Sequence, residues 1–459
     1  MDRRLWVLLA LVGTAAALSA CQDDATAPQP TRNPFAKLSA PERAALAAEV
    51  RTLAAGRGVT PLARPAPVRP ELVRLGRALA FDKILSGNRD ISCMTCHLPA
   101  FATGDGRSLS VGQGATGLGP QRVHPAGTFI PRNAPPLFNL AAMNGLFWDG
   151  RVFKGADGLV HTPAADDVTP PMQSTFEFGA ISALPLFPVA NREEMRAAGG
   201  NELALFGDDD FQGIWRALMR RLGNYPEYRA MFEAAYPRTR FRDMTFAHAS
   251  NAIAGFLIEQ FSSTDSPWDQ FLAGDNRALT DEQLEGAKVF MSIRCSLCHN
   301  GPAFTDGKFH NVALAQFGPG KGNGSSGRDD FGRFNISGLA PEKYAFRTTP
   351  LRNVELTGPY GHAGQFTDLR AFIDHYGESH LKLRNYDVSQ LEPALQGTLL
   401  DNVDDILATR DPILDGVVLP SDVVDKLTAY MRALTDGAAS DLSRVTPDRV
   451  PSGLPLDRP

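Results

Sequence analysis

The chain has 459 residues, of which 43% are hydrophobic and 21% are charged, and its formal net charge is -5. This composition supplies enough apolar side chains for two packed domains and excludes an intrinsically disordered polymer. The mild negative charge leaves no basic surface of the kind that binds nucleic acid, so we expect no nucleic-acid partner.

The N-terminal segment has the pattern of an export signal. Arg3 and Arg4 precede an apolar stretch, residues 5–18, that is too short to cross a membrane as a helix. The following Leu18-Ser19-Ala20-Cys21 resembles the end of a bacterial lipoprotein signal, in which Cys21 becomes the lipidated first residue. We predict a signal peptide at 1–21, a polar tether after it, and a periplasmic protein anchored to the membrane through Cys21. Cleavage near Ala20, which would release a soluble protein, is the alternative.

The spacing of apolar residues predicts a mainly helical chain. Capping boxes, Ser39-x-x-Glu42 and Thr280-x-x-Gln283, begin two of the helices, and the second helix is expected to run into Cys295. Ser421 is the predicted N-cap of the last helix. The glycine-rich segment 318–327 lacks the end of a phosphate-binding loop, and we interpret it as a flexible loop. The predicted helices span residues 41–55, 71–81, 211–222, 226–235, 245–262, 280–295, 368–376 and 422–435.

Four of the five cysteines lie in two Cys-x-x-Cys-His motifs. The motifs are Cys93, Cys96 and His97, and Cys295, Cys298 and His299. This pattern is the attachment signal for c-type haem: two thiols form thioethers, and the adjacent histidine ligates the iron. A zinc site or a redox-active dithiol is the alternative. Zinc does not explain why a histidine follows each pair, and a dithiol needs no histidine. We therefore expect two haem c groups.

An internal repeat follows the two motifs. Pro99-Ala100-Phe101-x-Thr103-x-Asp105-Gly106 matches Pro302-Ala303-Phe304-Thr305-Asp306-Gly307, and Pro136-Leu137-Phe138-Asn139 matches Pro350-Leu351-Arg352-Asn353. Nine residues beyond the paired asparagines lie Trp148 and His362. The repeated order and spacing predict two related domains.

At these positions the sequence resembles the bacterial dihaem cytochrome c peroxidase superfamily, which also contains the methylamine-utilisation enzyme MauG. The resemblance covers roughly residues 70–436. Besides the haem motifs it rests on Phe81-Asp82-x-x-Leu85-Ser86-Gly87-Asn88, Arg132-Asn133-Ala134-Pro135, Phe147-Trp148-Asp149-Gly150-Arg151, Glu194-Met195, Thr349-Pro350-Leu351-Arg352-Asn353 and Pro359-Tyr360-x-His362-x-Gly364.

The resemblance implies a mainly α fold with two cytochrome c-like haem domains and long irregular connections. The expected parts are a signal peptide (1–21), a tether and N-terminal helix (22–65), a peroxidatic haem domain (66–270), an electron-transfer haem domain (271–440) and a tail (441–459).

The resemblance also implies a division of roles. The haem held by His97 would react with peroxide, the haem held by His299 would relay electrons, and Trp148 would lie between them, although it could equally be a core aromatic residue. Glu194 matches the acid–base carboxylate of the family. Peroxide cleavage needs a group that takes a proton from one oxygen and gives one to the other. Asn191-x-x-Glu194 could instead be a simple helix cap.

Calcium is a further cofactor that the resemblance implies. The matching ligands are the side chain of Asn133 and the carbonyl groups of Thr357 and Pro359, and calcium prefers such oxygen ligands. The alternative for Asn133 is a turn residue before a proline-rich segment.

Two positions depart from the family pattern. Gln113 stands where many members have a distal histidine, although His124 is a possible substitute because of an insertion. Tyr376 stands where the sixth ligand of the second haem is usually methionine, with His375 and His380 as rivals. The resemblance also implies that a glutamine of the family's peroxide pocket is replaced near Leu184. If Gln113 is the equivalent residue, the first haem is five-coordinate in the resting protein.

The leading functional expectation is a cytochrome-c-peroxidase-type enzyme. It would reduce hydrogen peroxide to water with electrons from a small cytochrome c or cupredoxin in the periplasm. The alternatives are a MauG-like oxidase of a partner protein, which Tyr376 and Gln113 favour, and a non-enzymatic dihaem electron carrier.

The haem motifs generate a direct prediction. Mass spectrometry of the denatured, exported protein should show two haems still attached, because thioether bonds survive unfolding. Cys96→Ala should disturb attachment at the first motif and leave the second intact, and Cys298→Ala should do the reverse. Extraction of all haem by acid and acetone would contradict covalent attachment.

Overall fold

The structure is a computed structural model that describes residues 37–458. The predicted signal peptide and its Cys21 lie outside the described residues. As predicted, the fold is mainly helical, with few and very short strands. The helices are α1 (Ala40–Gly56), α2 (Pro70–Phe81), α3 (Cys93–Cys96), α4 (Pro170–Thr175), α5 (Ala180–Ala183), α6 (Phe211–Gly223), α7 (Pro226–Ala235), α8 (Phe246–Phe261), α9 (Pro267–Leu272), α10 (Asp281–Ser292), α11 (Cys295–Cys298), α12 (Phe334–Ser337), α13 (Leu369–His375), α14 (Ser379–Arg384), α15 (Pro393–Gln396), α16 (Val403–Ala408) and α17 (Ser421–Arg432). No helix within residues 37–458 is long and apolar enough to cross a membrane.

Two small sheets complete the secondary structure. Strands β1 (Gly145–Leu146), β2 (Val152–Lys154) and β3 (Val160–His161) form one antiparallel sheet in that order. Strands β4 (Phe309–His310) and β5 (Phe346–Arg347) form the other. The turn between β1 and β2 contains Trp148, whose carbonyl oxygen accepts a hydrogen bond from the backbone N–H of Arg347 at 2.9 Å. The two sheets therefore meet at Trp148.

The largest hydrophobic clusters lie around two closely packed helix pairs. In the first cluster α2 packs on α8, and in the second α10 packs on α17. A Cβ atom at Gly76 would lie 1.9 Å from the carbonyl oxygen of Ala252, and one at Gly286 would lie 1.9 Å from that of Lys426. Glycine is required at both crossings because any side chain would push the two helix backbones apart.

The paired asparagines of the sequence repeat have the same conformation and role. Asn139 and Asn353 both have a left-handed backbone, with φ of 54° and 63°. The backbone N–H of Asn139 donates to Phe261 O at the end of α8, and that of Asn353 donates to Leu434 O just after α17, both at 3.0 Å. The repeat therefore corresponds to a repeated structural unit in which each asparagine fixes a loop to the end of a core helix.

Both predicted capping boxes are present. The carboxylate of Glu42 accepts hydrogen bonds from Ser39, and Thr280 and Gln283 bond reciprocally at 3.2 and 2.9 Å. Two other predictions were wrong. Helix α10 ends at Ser292 and does not run into Cys295, because Ile293 has an extended backbone. Ser421 is the first residue of α17 and not its N-cap, since its hydroxyl accepts a hydrogen bond from Arg370 at 2.7 Å.

The two ends of the described chain pack on opposite cores. Helix α1, at the N-terminal end, buries Ala47, Val50 and Ala54 in the second cluster against α10. Residues 441–458 instead pack on the first cluster. There the carboxylate of Asp457 accepts a hydrogen bond from Thr95, inside the first haem motif, and pairs with Lys83 at 2.6 Å. Each core is thus completed by a segment distant in sequence.

Arg132 forms a buried ion cluster between the two halves of the chain. Its guanidinium pairs with Asp149 at 2.6 Å and with both carboxylate oxygens of Asp330 at 2.6 and 2.9 Å. Burial alone would raise the pKa of Asp149, but Arg132 and Arg151 outweigh it and hold that pKa below its usual range. The pKa of Asp330 is lowered in the same way, chiefly by Arg132 against the effect of burial.

This cluster generates a prediction on stability. Arg132→Met should reduce the free energy of unfolding at pH 7 by about 3–5 kcal/mol, because it leaves the buried carboxylate of Asp330 without an ion pair and leaves Asp149 with Arg151 alone. The lowered pKa values stabilise the native protein above the unfolded pKa of about 3.9 and lose that effect as the pH falls through the folded values. Without Arg132 the buried carboxylates protonate easily, so the deficit should shrink toward pH 4.

Urea denaturation at pH 7 and pH 4 measures this difference. Arg242→Met, which breaks an exposed pair with Asp243, is the control and should change little at either pH. An equal deficit for Arg132→Met at both pH values would show that lost packing, and not charge pairing, causes the effect.

Candidate active site

Each Cys-x-x-Cys segment forms one helical turn, α3 or α11, and its histidine follows at the C-terminus. The Nδ1–H of His97 donates to the carbonyl oxygen of Thr103 at 2.9 Å, and that of His299 donates to Phe304 at 3.0 Å. A carbonyl oxygen can only accept, so this bond places the ring proton on Nδ1 and leaves Nε2 free as a metal ligand. In both histidines Nε2 is therefore the nitrogen that could bind a metal.

The cysteine environments disfavour a redox dithiol. Burial raises the pKa of the Cys93 and Cys295 thiols to about 12, whereas reactive dithiols have lowered pKa values. Among residues 37–458, Cys298, Asp306 and His310 are the one group whose ligand atoms are close enough to hold a metal ion. That cluster includes the thiolate of Cys298, so a metal ion bound there and a thioether bond at Cys298 are alternatives. The first motif has no such cluster in the described part of the chain.

Cavities lie against both motifs. The first cavity, about 170 Å³, is lined by Cys93, Cys96 and His97 together with Glu194 and Trp148. The second cavity, about 680 Å³, is lined by Cys295, Cys298, His299, Tyr376 and again Trp148. A third cavity of about 120 Å³ adjoins His299 and is lined by Asn133, Thr357, Pro359 and Tyr376. The structure thus brings each predicted haem motif to a cavity with its predicted partner residues.

Glu194 faces the first cavity from a single π-helical turn, Arg192–Arg196. Asn191 alone caps this turn: its side-chain oxygen accepts from the N–H groups of Glu193 and Glu194 at 2.8 and 2.9 Å. The backbone N–H of Asn191 donates to Phe187 O and not to Glu194. The Glu194 carboxyl is therefore not used as a helix cap, and it is available to the cavity.

Three cationic side chains influence the pKa of the Glu194 carboxyl. Burial raises its pKa, the charges of Arg151, Lys321 and Arg132 oppose that rise, and Glu193 adds to it. Arg132 and Arg151 are already paired with Asp149, whereas Lys321 makes no ion pair or hydrogen bond through its ammonium group among the described residues. Sequence reasoning missed Lys321, which lies in the glycine-rich loop and reaches the first cavity from the other half of the chain.

That loop is hydrogen-bonded across its base. The backbone N–H groups of Lys321 and Asn323 donate to Asp329 O at 3.0 and 3.2 Å, and Asp329 N–H donates back to Asn323 O at 3.0 Å. A Cβ atom at Gly320 would lie 1.8 Å from Arg328 O. These bonds give the base of the loop a defined shape, which differs from the flexible loop that the sequence predicts.

Neither of the two candidates for the distal position lines the first cavity. The backbone N–H of Gln113 donates to Glu194 O at 3.1 Å, while its side chain accepts from Asn88 at 2.9 Å. His124 accepts from the N–H of Ala126 at 3.0 Å. Leu184, the predicted replacement for a pocket glutamine, does line the first cavity. Of the two, only Gln113 is hydrogen-bonded to Glu194 within residues 37–458, and that bond is made by its backbone.

Trp148 borders all three cavities and is 8% exposed. Its indole N–H donates to the carbonyl oxygen of Asn133 at 2.9 Å. Arg347 is the other residue that lines both the first and the second cavity, and sequence reasoning missed it. Nothing in the local sequence, a basic residue beside a threonine-proline motif, indicates that Arg347 lines these cavities. Its position results from the pairing of β5 with β4.

Tyr376 follows α13 directly and lines the second and third cavities. Burial raises the pKa of its phenol, and its hydroxyl makes no hydrogen bond among the described residues. Of its rivals, His375 donates through Nε2 to Val312 O at 2.9 Å, and His380 is exposed. Of the three residues, Tyr376 is therefore the one that lines both cavities, and its hydroxyl has no hydrogen-bond partner within residues 37–458.

The three predicted calcium ligands meet at the third cavity. The amide nitrogen of Asn133 donates to the carbonyl oxygens of Arg107 and Ser108 at 2.7 and 3.3 Å. This leaves its amide oxygen as the group that could face a cation. Thr357 and Pro359 line the same cavity, which joins oxygen donors from both halves of the chain.

Comparison with known proteins agrees with this arrangement. The family of di-haem cytochrome c peroxidases matches residues 70–277. The chain is 29% identical to the methylamine utilization protein MauG of Methylorubrum extorquens over 372 residues, covering 81% of this chain and 83% of that protein. It is also 29% identical to the cytochrome c551 peroxidase of Pseudomonas aeruginosa over 318 residues, covering 69% of this chain and 75% of that one.

Solved structures show the same fold. A MauG-like protein associated with microbial copper homeostasis superposes with a TM-score of 0.59 at 24% identity, covering 85% of this chain and 96% of that protein. The diheme peroxidase BthA of Burkholderia thailandensis gives a TM-score of 0.55 at 21% identity, covering 88% and 95%. Two c-type haems are the cofactors that this family implies, and the two motifs with their oriented histidines and adjoining cavities fit them. The chain belongs to the dihaem cytochrome c peroxidase and MauG superfamily, as an oxidoreductase of the peroxidase type.

Proposed function

We propose that this protein reduces hydrogen peroxide to water at the first cavity, with electrons supplied by a small periplasmic cytochrome c or cupredoxin. Two electrons and two protons convert one hydrogen peroxide into two water molecules. Two covalently bound haems, one in each half of the chain, would supply the redox centres for this reduction. His97 and His299 would hold them, and Cys93, Cys96, Cys295 and Cys298 would attach them.

The observation that carries this proposal is the free carboxyl of Glu194 in the cavity of His97. Because Asn191 caps the π-helical turn by itself, Glu194 can take a proton from one peroxide oxygen and return it to the other. Leu184 and Pro188 line the same cavity and limit the water around that carboxyl. An electron carrier needs no such group, so Glu194 favours an enzyme over the non-enzymatic alternative.

We further propose that Trp148 lies on the route between the two redox centres. It borders both cavities, and its N–H bond to Asn133 fixes the plane of the indole. Electrons would enter near His299, since the second cavity reaches outward to the exposed side chain of Val418. A calcium ion held by Asn133, Thr357 and Pro359 would fix the segment that accepts the indole N–H. Export to the periplasm and anchoring through Cys21 remain part of the proposal.

The proposal is tested by Glu194→Gln. We expect this change to slow peroxide turnover by ~10²-fold or more, the usual scale for a positioned acid–base group, with haem content and optical spectra nearly unchanged. In the unsubstituted protein the rate should fall as the pH drops through the raised pKa of Glu194, because the protonated carboxyl cannot accept a proton.

The matched control is Glu193→Gln, which removes the same charge from the exposed neighbouring residue. It should leave turnover within a few-fold of the unsubstituted protein. An unchanged rate in Glu194→Gln, accompanied only by a lower melting temperature, would show that Glu194 has a structural role and would remove the main support for a peroxidase.

Tyr376 favours a second candidate function, a MauG-like oxidase that removes electrons from side chains of a partner protein. A phenolate ligand favours ferric iron, whereas the usual Met/His pair raises the reduction potential. None of the ten methionines lies between Met291 and Met431, so a methionine ligand in that stretch is excluded. A low reduction potential at the second haem suits an enzyme that stores oxidising equivalents. It is less suited to an enzyme whose second haem accepts electrons from ordinary donors.

We expect Tyr376→Met to raise the midpoint potential of the second haem and to change its optical spectrum, because a neutral thioether replaces a phenolate. A redox titration followed by absorbance measures both. His375→Asn serves as the control and should leave the potential unmoved, since His375 is bonded to Val312. If only the His375 variant changed the spectrum, His375 would be the ligand and the oxidase would lose its support.

A further inference from the structure

The wall between the first and second cavities contains a cation that the proposed function does not use. Arg347 is 7% exposed and borders both cavities. Burial lowers the pKa of its guanidinium to about 10, and only Asp149 opposes that shift. This pKa still leaves Arg347 positively charged at neutral pH, so the wall contains a full buried charge.

Arg347 is fixed mainly by backbone groups of the Trp148 turn. Its backbone N–H donates to Trp148 O at 2.9 Å, and its Nε donates to Phe147 O at 3.0 Å. A further contact to Thr348 O is long, at 3.4 Å. Among the described residues it forms no ion pair, and the nearby carboxylate of Asp149 is already shared by Arg132 and Arg151.

The other buried arginines of the described chain are all compensated. Arg122 gives its side-chain N–H groups to the carbonyl oxygens of Val111, Gly112 and Gly117. The rest pair with carboxylates: Arg107 with Glu392, Arg132 with Asp149 and Asp330, Arg196 with Asp208, Arg221 with Glu202 and Arg352 with Asp269. A buried charge without a partner costs several kcal/mol or more. Arg347 has fewer close partners than any of these arginines: one short side-chain bond, to Phe147 O, and no carboxylate partner within residues 37–458, while its side chain borders both cavities.

A c-type haem carries two propionate carboxylates, and a guanidinium matches a carboxylate in geometry through its planar fork of N–H donors. We propose that Arg347 is a carboxylate-binding residue that pairs with haem propionates at the wall shared by the two cavities. This inference rests on the proposed occupancy of both cavities by haem. It gives the two redox centres one common positive charge, on a strand residue that is hydrogen-bonded to the turn containing Trp148.

A shared cation beside both centres affects both reduction potentials. Adding an electron to either centre is easier near a positive charge, so removing that charge should make both potentials more negative. A residue that only supported the Trp148 turn would not be expected to shift both potentials in the same direction.

The test is a redox titration of the purified, haem-loaded protein carrying Arg347→Met, with resonance Raman spectra of the propionate bending bands. We expect both midpoint potentials to fall and the bending bands to shift, because the carboxylates lose a charged donor. Arg347→Lys should give a smaller fall, since it keeps the charge without the fork. Arg347→Gln is a second neutral variant in case the methionine variant does not fold.

Arg333→Met is the matched control. Arg333 donates to Asp149 O at 2.9 Å and to Gly150 O at 3.3 Å in the same turn, but it borders neither cavity. Its loss should leave the potentials and the bending bands in place. Unchanged potentials and bands in the neutral Arg347 variants, with two haems still counted by mass spectrometry, would overturn this inference and leave the proposed function intact. A protein that holds no haem would instead refute the proposed function.

Discussion

The pairing of one buried guanidinium, that of Arg132, with carboxylates from both halves of the chain is the constraint on which the rest of the site depends. Arg132 and Asp149 belong to the first half, and Asp330 belongs to the second. Such a cluster is not a large source of net stability, because three charges lose their water when it forms. Its effect is geometric. Asp149 directly follows Trp148, so the cluster fixes the turn that separates the first cavity from the second. Both the route between the redox centres and the common charge proposed for Arg347 require that turn to stay in place.

The two halves of the chain share local structural features but differ in the residues that face their cavities. Each has a Cys-His turn with its histidine bonded through Nδ1 to a carbonyl oxygen, a glycine at the closest helix crossing, and a left-handed asparagine that fixes a loop to a core helix. These shared features would hold the haem that the family implies for each half. The differences lie at the residues that face the cavities: Glu194 in the first, Tyr376 in the second, and Trp148 where the repeat places His362. The scaffold is thus duplicated, whereas the reactive side chains are not.

Much of this could be predicted from the sequence because it depends on short-range patterns. The haem motifs, both capping boxes and the repeat are encoded within a few residues, and Glu194 and Trp148 followed from family resemblance. The failures concern long-range contacts. Lys321 reaches the first cavity from a loop in the other half, and Arg347 reaches the wall through a strand pair that no periodicity in so short a segment could reveal. Ser421 has the right residue type for an N-cap, but a hydrogen bond from Arg370 occupies its hydroxyl. Local propensity cannot anticipate such competition.

The contact between Thr95 and Asp457 has a consequence for the order in which the protein is assembled. The two residues are 362 positions apart, and Thr95 lies between the two cysteines that the first haem requires. A chain that crosses a membrane from its N-terminus presents that motif long before Asp457 emerges. Helix α1 likewise emerges before α10, the surface on which it packs. In a chain exported in this way, the first motif would meet the haem-attachment machinery while Asp457, its packing partner, is still absent. Haem attachment at the first motif would then precede the packing of the structure around that motif. The segment 441–458 would pack against the motif last, after the haem is already bound.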